Sequence, residues 1–424
     1  MSRYRGVRLA FEKKPAILLP TAELTDIGQV VLPYAYPTDA EVRPTVSLYD
    51  TLRPGSPLSE VEGEPFSVVR SSVTGVVSGE KEISHPLYGE LRCVVIDCPP
   101  ETPAPEVEIS GAGADTLDYI LTAAEEAGVI DELDGVPLSL KLQEWRETGC
   151  DFVVGDAVEV QPYSSSAWAT LRGNAEQVAE GVSLIATYAG ASGWHIAACL
   201  SASRRRSLAL RIGKKRLFQA DSRYPVREPV NRRAVGKRAK VCRVGVQACL
   251  ALYRAVRMGR AHTHAILTVA GDAVKQPQNV MVPFGTSVQE ILRRCGVCDD
   301  PSYLILGDSM TGVTSVTQDI PVLPGMTCLL AFTAAQVRPT VTRACIGCGR
   351  CVKVCHAGLL PFEIHRRYEN MHYERIASLA AADCDGCGAC SYVCPCGLEL
   401  AAVVQEAKRS GNTLLLDLEE DTDA

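Results

Sequence analysis

The stretches CIGCGRCVKVC, residues 345–355, and CDGCGACSYVCP, residues 384–395, repeat one spacing, C-x2-C-x2-C-x3-C, and hold eight of the chain's 18 cysteines. Three cysteines on one tight loop bring three thiolates to three corners of a cubic 4Fe–4S cluster. The fourth, one helical turn further on, points away and serves the other cluster. This logic gives Cys345, Cys348, Cys351 and Cys394 to a first cluster, and Cys384, Cys387, Cys390 and Cys355 to a second. Gly347, Gly349, Gly386 and Gly388 suit a backbone that wraps closely around such a group. Backbone N–H groups there can hydrogen-bond the sulfurs. A chain so equipped moves electrons one at a time.

Zinc sites use separated C-x2-C pairs instead of runs of four, and disulfide frameworks belong to small secreted domains, so both readings fit the spacing less well. Pro395 follows Cys394, as the spacing expects. His356 follows Cys355 where proline is usual, which predicts a local change and not loss of a cluster. Cys396 is left over and reads as a structural thiol.

The 424 residues are 46% hydrophobic, with a mean hydropathy of +0.05. That is a globular chain long enough for roughly two to four domains. The start, MSRYRGVRLAFEKKPAILLP, lacks the apolar core of a signal peptide. No run of about eighteen uncharged apolar residues predicts a membrane span. Reduced thiols point to the cytoplasm; attachment at the inner face of a membrane is the second expectation. A net charge of −7 argues against a nucleic-acid partner.

Charge is uneven. From Arg204 to Arg243 the chain carries Arg204, Arg205, Arg206, Lys214, Lys215, Arg216, Arg232, Arg233, Lys237, Arg238 and Lys240 against Asp221 and Glu228. One reading is a docking patch for an acidic redox protein such as a ferredoxin or flavodoxin. The other is an ordinary solvated basic face. Aromatic residues are not interleaved as RNA binding would want.

Along the chain, residues 1–100 alternate short apolar runs with Pro and Gly turns and predict a small β-barrel or sandwich. TLRPGSPLSE (51–60) and SSVTGVVSGE (71–80) look like the halves of a lipoyl-type barrel-sandwich, without a lysine at the tip to carry lipoyl or biotin. Residues 101–115 form a Pro-rich linker. Residues 116–262 alternate apolar runs with helical stretches and predict α/β layers around a partly parallel sheet. Residues 263–332 read strand, turn, strand, helix, a β-grasp-like unit. Residues 333–411 hold the cysteine motifs, joined by a helix through RYENMHYERIASLAAADC (367–384), and 412–424 is a solvated acidic tail.

In this order the parts resemble the C subunit of the Rnf electron-transport complex and its soluble relatives. TLRPGSPL and SSVTGVV fit the family's barrel, AGVIDELDGVPLSLKL (127–142) falls at its glycine-rich loop, VVGDAVEVQPYSS (153–165) at its NGAECEPY motif, RYPVREP (223–229) at YPxGxE, and LTVAGDAVKQPQNVMVPFGTSVQEIL (267–292) at its SLBB segment. CIGCGRCVKVCHAGLLP and CGACSYVCP fit its cluster module closely. The resemblance implies a multidomain α/β and α+β chain. Its parts are an N-terminal barrel-sandwich, an α/β domain like the flavin subunit of respiratory complex I, an SLBB β-grasp domain and a twin-cluster ferredoxin-like module.

The departures bear on function. The family's loop uses consecutive glycines to approach flavin or NADH phosphates. Here Gly128, Gly135 and Pro137 remain, while Asp131, Glu132 and Asp134 stand where phosphate would lie, and carboxylates repel phosphate. Asp156 and Gln161 replace an Asn and a Glu, Ala248 an Asn, and Arg227 a glycine. The nucleotide pocket therefore reads as degenerate, with FMN disfavoured. The first functional reading is an electron carrier with two 4Fe–4S clusters, set between a reduced carrier or dehydrogenase and a partner reductase or redox complex. The alternative is an NADH-oxidising FMN dehydrogenase subunit, in which Glu159 and Gln161 orient nicotinamide or flavin and Lys141 meets phosphate. An assembly factor with structural clusters is a third. No residue is assigned a catalytic role. Cys295 with Cys298, Cys93 with Cys98, and His262 with His264 carry no metal-site pattern.

Overall fold

The structure, a computed structural model, describes residues 5–36, 42–61, 67–99, 105–109, 113, 116–225, 239–297, 301–336, 341–372 and 376–420. Among the described residues of the N-terminal part lie the strands β1 (Ala22–Glu23), β2 (Gln29–Pro33), β3 (Ala35–Tyr36), β4 (Val42–Pro44), β5 (Thr51–Leu52), β6 (Ser59–Val61), β7 (Ser67–Val68), β8 (Gly75–His85) and β9 (Gly89–Asp97). Strand β9 shows why the sequence folds this way: Leu91, Cys93 and Ile96 turn inward while Glu90, Arg92 and Asp97 stay exposed. Residues 90–93 alternate with the period of two of a half-buried strand, and burial of Val94 next to Cys93 shifts the phase, so Ile96 faces in. Strands β2, β9, β8 and β5 make an antiparallel sheet in that order, and β3–β7 and β4–β6 pair beside it. The turn after β7 does not face solvent. Ser71 and Ser72 are buried, and the Ser72 hydroxyl donates to the Phe284 carbonyl at 2.6 Å.

The middle of the chain holds α1 (Leu117–Glu126), α2 (Leu138–Thr148), β10 (Phe152–Ala157), α3 (Ser166–Tyr188), β11 (Trp194–Ala198), α4 (Ala202–Ile212), β12 (Leu217–Gln219), β13 (Val241–Gly245) and α5 (Val246–Met258). Residues 153–157 of β10 are all buried, the mark of a strand covered on both faces. The sheet is parallel, in the order β12-β11-β10-β13. The chain steps outward from β10 to β12, then returns to the far side of β10 as β13. The direction of winding reverses between β10 and β13, and crevices open beyond the carboxyl ends of strands at such points.

A third sheet contains β14 (His264–Ala270), β15 (Gln278–Pro283), β16 (Tyr303–Leu306), β17 (Val313–Ser315) and β18 (Cys328–Phe332), with α6 (Val288–Arg294) packed on it. Its order is β1-β15-β14-β18-β16-β17, so β1 crosses from the N-terminal part to pair with β15. One core joins Val30, Leu32 and Ile96 to Leu267, Val280 and Leu329.

The C-terminal part carries α7 (Arg350–Val354), α8 (Pro361–Glu369), α9 (Ala389–Tyr392) and α10 (Leu400–Glu420). The helix between the cysteine motifs lies earlier than the expected 367–384. Pro361 opens it, a favoured first position, and Glu363 braces it through Arg366 and Arg367. Two short 3-10 turns follow at Ala377–Leu379 and Ala381–Asp383. Ile364 packs on Val404 and Ala407, which docks α8 on α10. Among the described residues no helix is long and apolar enough to cross a membrane.

Candidate functional site: two cysteine loops and a crevice

Each cysteine loop turns on glycines with left-handed backbone. Gly347 and Gly349 have φ of 66° and 67°, Gly386 and Gly388 of 72° and 74°. In each motif the third cysteine opens or enters a short helix, α7 or α9, and a fourth follows one turn later. The thiols fall into neighbourhoods. Burial pushes Cys390 up to about 12, with Cys384 and Cys355 adding to the shift. Cys355 of the first motif packs with Cys384 of the second against one small core. Burial also raises Cys351, and Cys345 adds to it. Cys351, Cys390 and Cys394 share one small core with Cys396. Convergent thiols on glycine turns fit an iron–sulfur cluster.

The two loops differ in surroundings. Residues 341–348 are exposed throughout, and a side chain added at Gly347 or Gly349 would meet nothing within 4 Å. The second loop is held from several sides. The Tyr224 hydroxyl donates to the Cys387 carbonyl at 2.6 Å, and Gln405 and Lys408 each donate to the Cys384 carbonyl at 3.1 Å. A side chain at Gly388 would lie 2.9 Å from the Met310 carbonyl. Their charges also differ: residues 341–356 include Arg343, Arg350 and Lys353 and no acid, whereas 383–394 include Asp383 and Asp385 and no Lys or Arg.

His356 occupies the position where proline is usual. Its Nε2 lies 2.9 Å from Asp385 Oδ2, and Asp385 Oδ1 accepts the Cys387 N–H at 3.2 Å. The imidazole thus ties the end of one cysteine motif to the turn of the other. His356, Asp385 and Cys387 bring ligand-type atoms within 4.8 Å of one another. Since Cys387 already belongs to the cysteine set, the pair reads as a brace for its loop.

Beside Cys387 lies a crevice of about 220 Å3, at the point where the winding reverses between β10 and β13. Two helix N-termini are satisfied here by the chain's own carboxylates. Helix α5 is capped by Gly245, which has no side chain to offer, so its free N–H groups need an acceptor from elsewhere. Glu132 supplies it, with Oε1 accepting from Gln247 N at 2.7 Å and Oε2 from Ala248 N at 3.0 Å. Asp131 Oδ1 accepts the Gly245 N–H at 2.9 Å. A Cβ on Gly245 would fall 2.0 Å from the Glu132 carboxyl carbon. At α3, Glu159 accepts from Ala167 N at 2.8 Å and Trp168 N at 3.1 Å.

The expected nucleotide residues are engaged within the protein. Lys141 Nζ lies 2.6 Å from Asp131 Oδ2 and 2.7 Å from Asp134 Oδ2, so its ammonium is already paired twice. Burial pulls Lys141 down, and these carboxylates more than offset it. Gln161 donates to Asp308 Oδ2 at 3.0 Å and accepts the Met310 N–H at 2.8 Å. Glu159 and Gln161 line the same crevice; Lys141 does not. A phosphate at the start of α5 would have to displace Glu132.

Several members of the crevice have no marker in the sequence. Lys13, outside the lining itself, comes from the N-terminal segment and donates to the carbonyls of Glu159 and Ser164, which line the crevice. Asp308 is pushed up to about 6 by burial, with nearby Glu159 raising it further. Arg243 pairs with Asp156. For Glu132 one signal existed: a strand ending in glycine just before a helix leaves that helix without a cap of its own. Burial, and then the charge of Asp131, push Glu132 up to about 8.

The remaining candidates are structural. His262 is half-buried, edge-on against Phe284, and loss of solvation pushes it down to about 3. Within the basic segment, Arg211 pairs with Glu176, and Arg204 and Arg216 stack over Trp168 and Trp194. Arg232, Arg233, Lys237, Arg238 and Glu228 lie outside the described residues, as do Arg227 and Cys298.

Residues 344–398 match the model of the 4Fe-4S dicluster domain. Over 423 residues, 95% of this chain and 93% of the relative, the chain is 28% identical to the C subunit of the Na(+)-translocating ferredoxin:NAD(+) oxidoreductase complex of Acetobacterium woodii. It is 27% identical over 360 residues, 79% of this chain and 69% of the relative, to the C subunit of the ion-translocating oxidoreductase complex of Rhodobacter capsulatus. The chain is similar to Rnf-type C subunits over most of its length. Identity to another of them, from Methanosarcina acetivorans, reaches 36% over 121 residues, 28% of this chain and 27% of the relative. Among solved structures, an NAD+-reducing [NiFe]-hydrogenase aligns at 16% identity with a TM-score of 0.46, over 68% of this chain and 60% of that one. The matched family domain covers both cysteine loops, so the chain binds 4Fe–4S iron–sulfur.

Proposed function

We propose that the chain is an electron-transfer component of an Rnf-type complex, with two 4Fe–4S clusters and no flavin or nicotinamide of its own. Cys345, Cys348, Cys351 and Cys394 would hold one cluster, and Cys384, Cys387, Cys390 and Cys355 the other. What supports the pairing is that Cys355 of the first motif packs beside Cys384 of the second on one small core. The clusters supply one-electron transfer when bound. The protein's own contribution is to hold the thiols in convergent sets, to fasten the second loop's carbonyls through Tyr224, Gln405 and Lys408, and to brace that loop through His356 and Asp385.

Glu132 and Glu159 support the absence of a nucleotide. Helix N-termini bind phosphate because their N–H groups are unsatisfied. Here the groups that face the crevice already serve carboxylates, and Lys141 is held by two more. The crevice residues therefore do not fit a phosphate-bearing flavin or NADH. The barrel-sandwich and SLBB assignments, the domain limits at 100, 115, 262, 332 and 411, a cytoplasmic or membrane-peripheral location and an acidic redox-protein partner belong to the same proposal. The test is inorganic phosphate and FMN titration of the purified protein, followed by intrinsic and flavin fluorescence. Neither should bind in the micromolar range, and saturable FMN binding would restore the dehydrogenase reading.

A further inference from the structure

The surface around the first cysteine loop has features that the electron-carrying reading does not require. Ile346, between Cys345 and Cys348, is 71% exposed, and Val341 at the entry to the loop is 70% exposed. Arg343, Arg350 and Lys353 are exposed around them. Among the described residues none of the three has an ion-pair partner, whereas Arg366, Arg367 and Arg409 nearby in sequence are paired with glutamates. In a chain of net charge −7, a stretch with three unpaired cations and no acid runs against the average. Cys345 and Cys348, two ligands of the first cluster in the reading above, lie at this same surface.

We infer that residues 341–353 are the docking face for a diffusible acidic one-electron carrier protein. An apolar centre flanked by cations suits a small, transient redox interface, in which the apolar contact sets the register and the charges raise the encounter rate. Each encounter moves one electron: the carrier is oxidised by one electron and the chain is reduced by one. The second loop suits this less, because the Tyr224, Gln405 and Met310 contacts hold it half-buried against the body and its local charge is acidic. The face differs from the basic segment at 204–243, whose described arginines at 204, 211 and 216 are already engaged.

The inference rests on the electron-carrying reading, and iron content separates failure of the one from failure of the other. The test uses the iron-loaded full chain and a purified, strongly acidic 4Fe–4S ferredoxin. Binding is measured by calorimetry and electron transfer by stopped-flow absorbance, each at low and high salt. The triple variant Arg343→Glu, Arg350→Glu, Lys353→Glu should weaken binding and slow the second-order rate by roughly 10- to 100-fold at low salt, with the gap closing at high salt. Ile346→Ser should weaken binding at both. Arg205→Glu with Lys214→Glu and Lys215→Glu should change either value by less than about twofold. If the triple variant loses iron, the single Arg343→Gln change, which keeps a polar side chain, carries the test with a smaller fall. Unchanged binding in loop variants that keep their iron, or an equal loss in the 205/214/215 variant, overturns the assignment.

Discussion

The two cysteine loops share one spacing and one glycine geometry, yet one stands open to solvent and the other is packed against the body beside a crevice. Nothing touches the space above Gly347 and Gly349, while Met310 and Gln405 close over Gly388 and Gly386. Arg343, Arg350 and Lys353 surround the first loop; Asp383 and Asp385 flank the second. A repeated cysteine spacing therefore leaves the surroundings of each copy free to differ. Exposure and hydrogen bonding to sulfur are what set a cluster's potential and access.

The largest effect is expected from exchanging the fourth ligands. Cys355→Ser should cost the cluster of the second motif and Cys394→Ser that of the first, each lowering iron by about four per chain. Metal analysis with spectroscopy of the remaining cluster checks it. If Cys355→Ser instead removes the first motif's cluster, the interleaved assignment is wrong.

Next in size is the order of chemical attack. In iron-free protein, Cys345 and Cys348 should be alkylated about tenfold or more faster than Cys390, since only the exposed thiols meet the reagent without opening of the fold. Mass spectrometry of a time course reads this directly, and equal rates would erase the contrast between the loops.

The cysteine motifs were legible because a cluster dictates its ligand spacing locally, within eleven or twelve residues. The parallel strands β10 and β11 were legible too, as apolar runs between helical patterns. What the sequence hid was contact at long range. Glu132 meets Gln247 and Ala248, Lys13 meets Ser164, and β1 pairs with β15. No local pattern marks these, since each depends on where the sheets come to rest. The linking helix was misplaced because its alanine-rich stretch suggested continuity. Ala380 instead adopts a φ of 53°, incompatible with a running helix, and Pro361 starts the helix earlier.

A moderate effect separates the crevice from a nucleotide site. Glu132→Gly frees two N–H groups at the start of α5, so inorganic phosphate or FMN should bind where the parent protein shows none; Glu132→Gln should not gain this. Lack of binding in the glycine variant would mean that more than this carboxylate keeps phosphate out. The same group gives a pH dependence. Its folded value, about 8, lies above the ordinary 4.5. Between those values the folded chain keeps a proton that the unfolded chain releases, so stability should fall as pH rises from about 5 to about 8 and then level off. Asp308, raised from 3.8 to about 6, acts in the same direction over the lower part of that range. Thermal midpoints across pH should show a flatter curve for Glu132→Gln, and a parallel curve would refute the assignment.

The smallest effect is at the brace. His356→Ala removes one partly buried hydrogen bond to Asp385 and should cost about 1 kcal/mol, seen as a midpoint a few degrees lower, with iron content unchanged. Loss of iron from the second loop alone would make His356 more important to cluster retention than this geometry assigns.

The central claim is a carrier of clusters without a nucleotide. It is tested most directly by iron, sulfide and extracted-flavin quantitation on protein purified anaerobically, with NADH then added in the spectrometer. About eight iron and eight sulfide per chain, no flavin and no bleaching by NADH is the predicted result. One flavin per chain with bleaching by NADH would contradict it, and would mean that Glu132 yields its place to phosphate.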